Sequence, residues 1–240
     1  MPELDGKVAI VTGAGRLRGI GRAAAVAFAE LGADVVVTGT GRDPATFPAD
    51  EKAAGWRDVH STVEQIEAAG RRGLPLVVDV ADEEQVRTMV DRTLEEFGRV
   101  DILVNNAAFA RGPDRVPILD VEPDIFRKVV DIKVTGTFLC TKAVLKPMID
   151  QGDGGKIVNI SSTAGKRGSP NTLAYNAANF AAVGMTQSMA RELGPYGINV
   201  NCVCPGAVDT SRVDDIGRGE RWAEMAANTS IGRTGTDEEV

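Results

Sequence analysis

A chain of 240 residues, 43% hydrophobic and 25% charged, is long enough to fill one core and is read as a single domain over 1–240. Its formal charge of −7 argues against a nucleic-acid or membrane-surface partner, because both demand a clustered positive potential. Apolar runs such as Val35-Val36-Val37 are far too short to span a bilayer and the amino terminus lacks a signal pattern, so a cytoplasmic location is expected. Cys140, Cys202 and Cys204 stand in apolar surroundings and are read as buried thiols rather than a disulfide framework or metal site. His60 is the single histidine, which excludes a histidine-rich metal cluster and makes a Ser-His-Asp triad improbable.

Short β-branched runs alternate with longer amphipathic stretches, the pattern of a βαβ protein. Strands are predicted near Val8–Val11, Val35–Thr38, Leu74–Val78, Ile102–Asn105, Lys156–Ile160 and Asn199–Val203. Each is nearly all apolar, as a parallel sheet covered on both faces requires. Between the first two, Thr12-Gly13-Ala14-Gly15-Arg16-Leu17-Arg18-Gly19-Ile20-Gly21 places a glycine-rich turn after a strand and before a helix. Glycines there admit positive φ and close backbone approach, and a helix start offers free N–H groups to phosphate, so dinucleotide binding is expected.

A helix is predicted from Ile20 to Gly32, closing on a glycine cap, and another from Glu83 to Phe97 after Asp82. Helices before Lys156 and after Tyr175 would cover the other face, giving an α/β, Rossmann-type doubly wound parallel sheet in three αβα layers. Gly39 to His60 is unusually long for a connection, and reads either as an irregular excursion near the cofactor edge or as a solvated loop. In 212–221, Arg212, Arg218 and Arg221 interleave with Asp214, Asp215 and Glu220; they could receive an acidic substrate, but the alternation favours a solvated helix. Thr236-Asp237-Glu238-Glu239 is a capping-box signature announcing a helix, and the chain stops at Val240.

Ser162 followed by Tyr175-Asn176-Ala177-Ala178-Asn179 resembles the catalytic segment of the short-chain dehydrogenase/reductase family, with Asn179 where that family has lysine. In Val129-Val130-Asp131-Ile132-Lys133-Val134-Thr135-Gly136 a lysine stands where the family has its catalytic asparagine, so the two side chains look exchanged. The glycine turn is similar to the family's Thr-Gly-x-x-x-Gly-x-Gly with two additional residues, and the resemblance covers nearly the whole chain in the family's order. It implies cofactor contacts at Gly13, Gly15, Arg18, Gly19, Ile20 and Gly21. Asp79-Val80 would touch adenine, although Asp79 could equally cap a helix. Asn106 and Ala107, in Asn105-Asn106-Ala107-Ala108, would line the ribose side together with Tyr175 and Asn179, and Pro205, Gly206, Val208 and Thr210 would receive the nicotinamide carboxamide.

Arg18 before Gly19, and Gly39 where NAD-preferring members carry aspartate, favour NADP(H), with NAD(H) not excluded and Arg42 as a possible second phosphate contact. The resemblance further implies no metal, a small carbonyl or alcohol substrate, a homo-oligomer (tetramer or dimer) pairing helices that begin near Pro123 and Tyr175, and a last helix and strand absent from this chain.

Chemically, Ser162 and Tyr175 suit an oxyanion donor and a proton-exchanging group. Free tyrosine titrates near about pH 10 and needs a cation to act at neutral pH. Asn179 shares a helix face with Tyr175 but has no charge, so Lys133 and Asn179 are expected to exchange roles; the bland reading makes Lys133 a solvated surface lysine. The implied function is an NADP(H)-dependent carbonyl reductase or alcohol dehydrogenase. The alternatives are a dinucleotide-binding sensor or partner subunit with impaired catalysis, and an epimerase or dehydratase on a related fold.

Overall fold

In the computed structural model, which describes residues 3–240, six parallel strands form one sheet in the order β3-β2-β1-β4-β5-β6. They are β1 (Val8–Val11), β2 (Asp34–Gly39), β3 (Gly73–Val77), β4 (Ile102–Asn105), β5 (Gly155–Ile160) and β6 (Ile198–Val203). The apolar runs predicted β1 and β4 at these bounds and the others to within one residue at one or both ends. A further parallel pair joins β7 (Val208–Asp209) to β8 (Gly235–Thr236).

Alternate residues along each strand face opposite layers, as a two-residue period dictates. Ala9, Val11, Val35, Val37, Ile102 and Val104 pack on one side beneath α1 (Ile20–Glu30), with α2 (Ala49–Ala53) before and α3 (Val59–Ala68) within the same layer's connection. Ile10, Val36, Leu103, Ile157 and Ile198 face the other side, against α4 (Glu83–Phe97), α6 (Gly136–Gln151) and the end of α7 (Leu173–Leu193). α5 (Pro123–Val130) leans on α7 through Val129, Ala174 and Ala178, and α8 (Glu220–Ala227) lies near the end of the chain. As expected, Asp82 caps α4 by accepting from Glu84 N and Gln85 N at 2.9 and 3.1 Å, and Gly98 ends it in the left-handed region at φ 74°.

The solvated-loop reading of 39–60 fails, and the excursion beside the glycine turn is ordered rather than irregular. A 3-10 turn (Pro44–Thr46) and α2 order this segment, and Phe47, Glu51, Trp56 and Asp58 are all buried, so it packs onto the protein. Its period is too short to register as a helical pattern, which is why its Gly, Pro and Asp content looks like loop. The capping box at Thr236 forms, with Thr236 N donating to Glu239 Oε2 at 2.9 Å, but it opens only a 3-10 turn (Asp237–Glu239). Of the three cysteines, Cys140 is buried and its thiol is pushed up to about 12 by burial, whereas Cys202 and Cys204 are half-buried with their sulfurs 3.9 Å apart.

β4, β5 and α7 share a buried polar ladder. Asn105 Nδ2 donates to Asn159 Oδ1 at 3.0 Å and to Thr141 Oγ1 at 3.2 Å, and Asn159 Nδ2 donates to Thr186 Oγ1 at 2.9 Å. Asn159 is fully buried, so Asn159→Leu strands Asn105 and Thr186 together. Urea denaturation should show a loss of about 2–4 kcal/mol, and a loss below about 0.5 kcal/mol would mean that the ladder is not holding the layers together.

Candidate active site

The strand order places the site. From β1 the chain winds through β2 to β3 with α1 and α3 on one face, and from β4 it winds through β5 to β6 with α4, α6 and α7 on the other. The connections leaving β1 and β4 therefore part in opposite directions and leave a crevice at their carboxyl ends, the usual ligand position in open α/β sheets. Asn106 joins the two ends: its Nδ2 donates to Thr12 O at 2.8 Å and Gly13 O at 2.9 Å, while Thr12 Oγ1 accepts from the Asn106 and Ala107 amides at 3.0 and 3.1 Å. Gly13 sits at φ 69°, and a Cβ there would lie 2.9 Å from Ala107 Cα; a Cβ at Gly21 would lie 2.5 Å from Asn106 Nδ2. These two glycines thus serve the close approach of β1, α1 and β4, and Asn106 spends its amide on that join.

The two additional residues of the turn are met by the 39–60 segment. Gly15 O accepts from Trp56 Nε1 at 2.7 Å and Arg42 Nη2 at 2.8 Å, Ala14 O accepts from Thr62 Oγ1 at 2.7 Å, and Leu17 N donates to Glu51 Oε1 at 3.1 Å. Asp58 lies over Gly15, where a Cβ would come within 1.6 Å of its Oδ1, and beside Gly39, where a Cβ would come within 3.4 Å of the same oxygen. Its backbone adopts φ 55° and ψ −133°, a conformation that non-glycine residues rarely hold.

Both arginines expected at a 2′-phosphate are engaged elsewhere. Arg18 pairs with Asp50 at 2.8 Å, Asp209 at 3.1 Å and Asp214 at 2.6 Å, and its hydrogen bond to Asp214 is foremost in holding its pKa well above the usual arginine range. Arg42 pairs with the buried Glu51 at 2.8 Å and with Asp58 at 3.3 Å. At the start of α1, Gly19 N donates to Asp237 Oδ2 at 2.7 Å, and the same oxygen pairs with Arg22 at 3.1 Å. Asp79 is exposed and accepts from Ala81 N at 3.0 Å, holding the turn before α4, and Val80 is buried against Gly136.

At the other half of the crevice, Ser162 caps a 3-10 turn (Thr163–Gly165) and its Oγ accepts from Ala164 N at 3.2 Å. Thr163 N donates to Pro205 O at 2.9 Å, which fastens the Pro205-Gly206 segment to that turn; Val208 lies in β7, and Thr210 is buried. Tyr175 stands in the first turn of α7, and Asn176 next to it holds the preceding loop by donating to Ala164 O at 2.6 Å and Arg167 O at 2.8 Å. Asn179 is buried one turn on, but its Nδ2 folds back to Tyr175 O at 2.8 Å and its Oδ1 accepts from Ser161 Oγ at 3.4 Å.

Lys133 is buried, so the solvated-surface reading fails. It lies in a single π turn (Asp131–Thr135) between α5 and α6, and its Nζ donates to Ala107 O at 3.5 Å. Burial first, and then repulsion from Arg212, push its pKa down to about 8. Segment 212–221 also departs from a solvated helix. Arg218 pairs with Asp209 and Asp214 and stacks on Trp222, whereas Arg212 turns inward to donate to Phe109 O, with its guanidinium 5.3 Å from the centre of the Tyr175 ring. The Arg115 guanidinium lies 3.8 Å from the same ring.

A sequence profile described as short chain dehydrogenase matches residues 7–221. This chain belongs to the short-chain dehydrogenase/reductase family. It is 41% identical over 208 residues to the short chain dehydrogenase/reductase astE of Aspergillus oryzae, covering 87% of this chain and 73% of that one. To the cyclohexanol dehydrogenase of a Rhodococcus species it is 38% identical over 239 residues, covering 98% of this chain and 87% of that one. The crystal structure of carveol dehydrogenase from Mycobacterium avium in complex with NAD superposes with a TM-score of 0.85 at 28% identity, covering 100% of this chain and 89% of that one.

As a short-chain dehydrogenase, the chain is an oxidoreductase acting on CH–OH groups, and its fold binds NAD(P). No helix among the described residues is long and apolar enough to cross a membrane, and no group of three or more potential metal ligands gathers among them. One surface depression, about 550 Å³ and lined by Gly152, Gly154, Pro195 and Tyr196, lies at the opposite, amino-terminal edge of the strands; another, about 420 Å³, is walled by Cys204, Pro205, Gly206 and Ile231 at the carboxyl edge. Sequence reasoning missed Glu51, Trp56, Asp58, Arg115 and Asn176. Only Trp56, a large apolar residue in a polar stretch, carried a signal that could have exposed them.

The dehydrogenase's buried lysine makes stability depend on pH. Between about 8 and 10.5 the unfolded chain keeps the Lys133 proton that the folded protein has released, so this group makes stability rise with pH across that window and lowers it at neutral pH. Lys133→Met should therefore raise unfolding free energy at about pH 7 by on the order of 3 kcal/mol and flatten the rise toward about pH 10. Equal slopes for the two proteins in urea titrations would refute it.

Proposed function

We propose that this chain is an NAD(H)-dependent dehydrogenase that interconverts a carbonyl and its alcohol at Tyr175. The reading rests on one observation: the first turn of α7, which carries the half-buried Tyr175, is tied through Asn176 to the turn that Ser162 caps at the carboxyl edge of the sheet, with the Arg212 guanidinium 5.3 Å from the Tyr175 ring. The crevice fits a dinucleotide, since Gly13 and Gly21 bring β1, α1 and β4 to within contact of one another at the switch point. When bound, the nicotinamide supplies or accepts the hydride. Ser162 Oγ, which accepts from Ala164 N, keeps its own proton to donate to the substrate oxygen, and Tyr175 exchanges the alcohol proton.

Tyr175 requires a cation to act at neutral pH, and Asn179 spends its amide on backbone and Ser161. Positive charge comes instead from Lys133 and Arg212, which lie close enough to repel each other, with Arg212 in turn attracted to Tyr175. The exchange of lysine and asparagine is in this reading an exchange of position rather than a loss of function. Lys133→Ala should lower turnover at least about tenfold and remove a limb of the pH profile near 8. Unchanged kcat and an unchanged profile would exclude Lys133 from the reaction.

The choice of NAD(H) over NADP(H) is supported by charge. Arg18 and Arg42 are neutralised by carboxylates, and the Asp58 carboxylate stands beside Gly39, so a 2′-phosphate approaches Asp58 while a 2′-hydroxyl can donate to it; Arg16, which makes no ion pair among the described residues, is the cation that opposes this preference. Fluorescence titration should give a Kd for NADH at least roughly tenfold below that for NADPH, with Asp58→Asn narrowing the gap. Tighter NADPH binding to the unmodified protein would reverse the assignment. A homo-oligomer is part of the proposal: Phe138 and Phe180 are 50% and 46% exposed on α6 and α7, apolar surface that a second copy could cover.

A further inference from the structure

Arg115 and Arg212 lie over the ring of Tyr175, Arg115 with a single carboxylate, Asp114, within ion-pair distance and Arg212 with none among the described residues. Arg212 spends one N–H on Phe109 O; no carboxylate among the described residues lies within ion-pair distance of it. Arg115 Nε lies 3.2 Å from the fully buried Asp114 Oδ2, yet neither atom completes a hydrogen bond, and the terminal nitrogens of Arg115 make none among the described residues. A guanidinium offers five N–H donors in a fork that matches a carboxylate.

Charge points the same way. Arg111 is paired with Asp215 and Asp114 lies against Arg115, whereas Arg212 and the buried Lys133 have no carboxylate within ion-pair distance among the described residues, in a protein whose net charge is −7. Arg111 and Arg212 are held below the usual arginine range, by burial first, and Arg115 adds repulsion to both. Assembling like charges with open donors is unfavourable unless an anion completes the set.

We propose that the substrate of this dehydrogenase is an oxo acid or hydroxy acid whose carboxylate is held by Arg115 and Arg212 while its reacting carbon faces Tyr175 and Ser162. This rests on the dehydrogenase reading for the reaction, but the anion site stands on the two arginines alone. A carboxylate bridging them would satisfy the open N–H groups and offset the repulsion, and the aromatic ring beneath would fix their planes.

The test pairs each acid with its uncharged ester. 4-Oxocyclohexanecarboxylate and levulinate, each beside its methyl ester, are titrated into the NADH complex of the full chain, with binding read from NADH fluorescence and turnover measured in parallel. The unmodified protein should bind the acids roughly tenfold or more tightly than the esters, and Arg115→Gln or Arg212→Gln should each reduce that ratio by roughly tenfold. Arg212→Lys should restore part of it, and melting curves show which variants fold; if Arg212→Gln does not, Arg115→Gln decides. Acids bound preferentially without turnover would keep the anion site and overturn the dehydrogenase reading. Esters and acids turned over with equal affinity would do the reverse. Failure of both acids to bind, or variants that weaken NADH binding and leave the acid-to-ester ratio unchanged, would overturn the inference.

Discussion

The amide of Asn106 is the join on which the rest of the molecule depends. It ties the carboxyl end of β4 to Thr12 and Gly13 at the carboxyl end of β1, across the point where the chain's winding reverses. Because crossovers leave these strands toward opposite faces, this bond and the Thr12 Oγ1 bonds to the Asn106 and Ala107 amides extend the β1–β4 pairing past the last ladder residues, beneath an open crevice. Gly13 and Gly21 are glycines for the same reason: a Cβ at either position would push into Ala107 or Asn106 and part the two strands. Lys133, whose ammonium reaches Ala107 O, is attached to this join as well, so the sheet's topology and a buried positive charge meet at one backbone segment.

The distribution of buried charge then divides the crevice into two halves. Around the glycine turn, Arg42 is paired with Glu51 and Asp58, and Arg18 with Asp50, Asp209 and Asp214, while Arg16 makes no ion pair among the described residues. On the Tyr175 side, Lys133 and Arg212 have no carboxylate within ion-pair distance among the described residues. Buried ions are costly unless paired, so the surplus charge lies mainly on the Tyr175 side. The single π turn at Lys133 belongs to the second half; such turns break the regular helical bond pattern and redirect a side chain that an uninterrupted helix would point elsewhere.

Legibility followed the range of the interactions involved. Strands and long helices were readable because hydrophobic period and caps are local; Asp82 and Gly98 bound α4 as their residue types require. The Ser162 to Tyr175 spacing and the glycine turn were readable because they are short and contiguous. The fate of Arg18 was not, because its partners at positions 50, 209 and 214 come from three separate segments. Asp58 was unreadable for a related reason: it fills the place beside Gly39 from nineteen positions downstream, through a strained backbone that no propensity would suggest.

The sequence by itself determined the family, the parallel sheet and the glycine turn between its first strand and first helix, since all of these reside in residue order and local period. Only the tertiary structure decided which charges are free. Whether an arginine meets a phosphate, a carboxylate or an aromatic ring depends on what distant segments bring within about 4 Å of it, and electrostatic energy at that distance outweighs any preference written in neighbouring residues. Arg18 stands in a stretch without acidic residues and Arg212 among Asp209, Asp214 and Asp215, yet folding neutralises the first and leaves the second facing Tyr175.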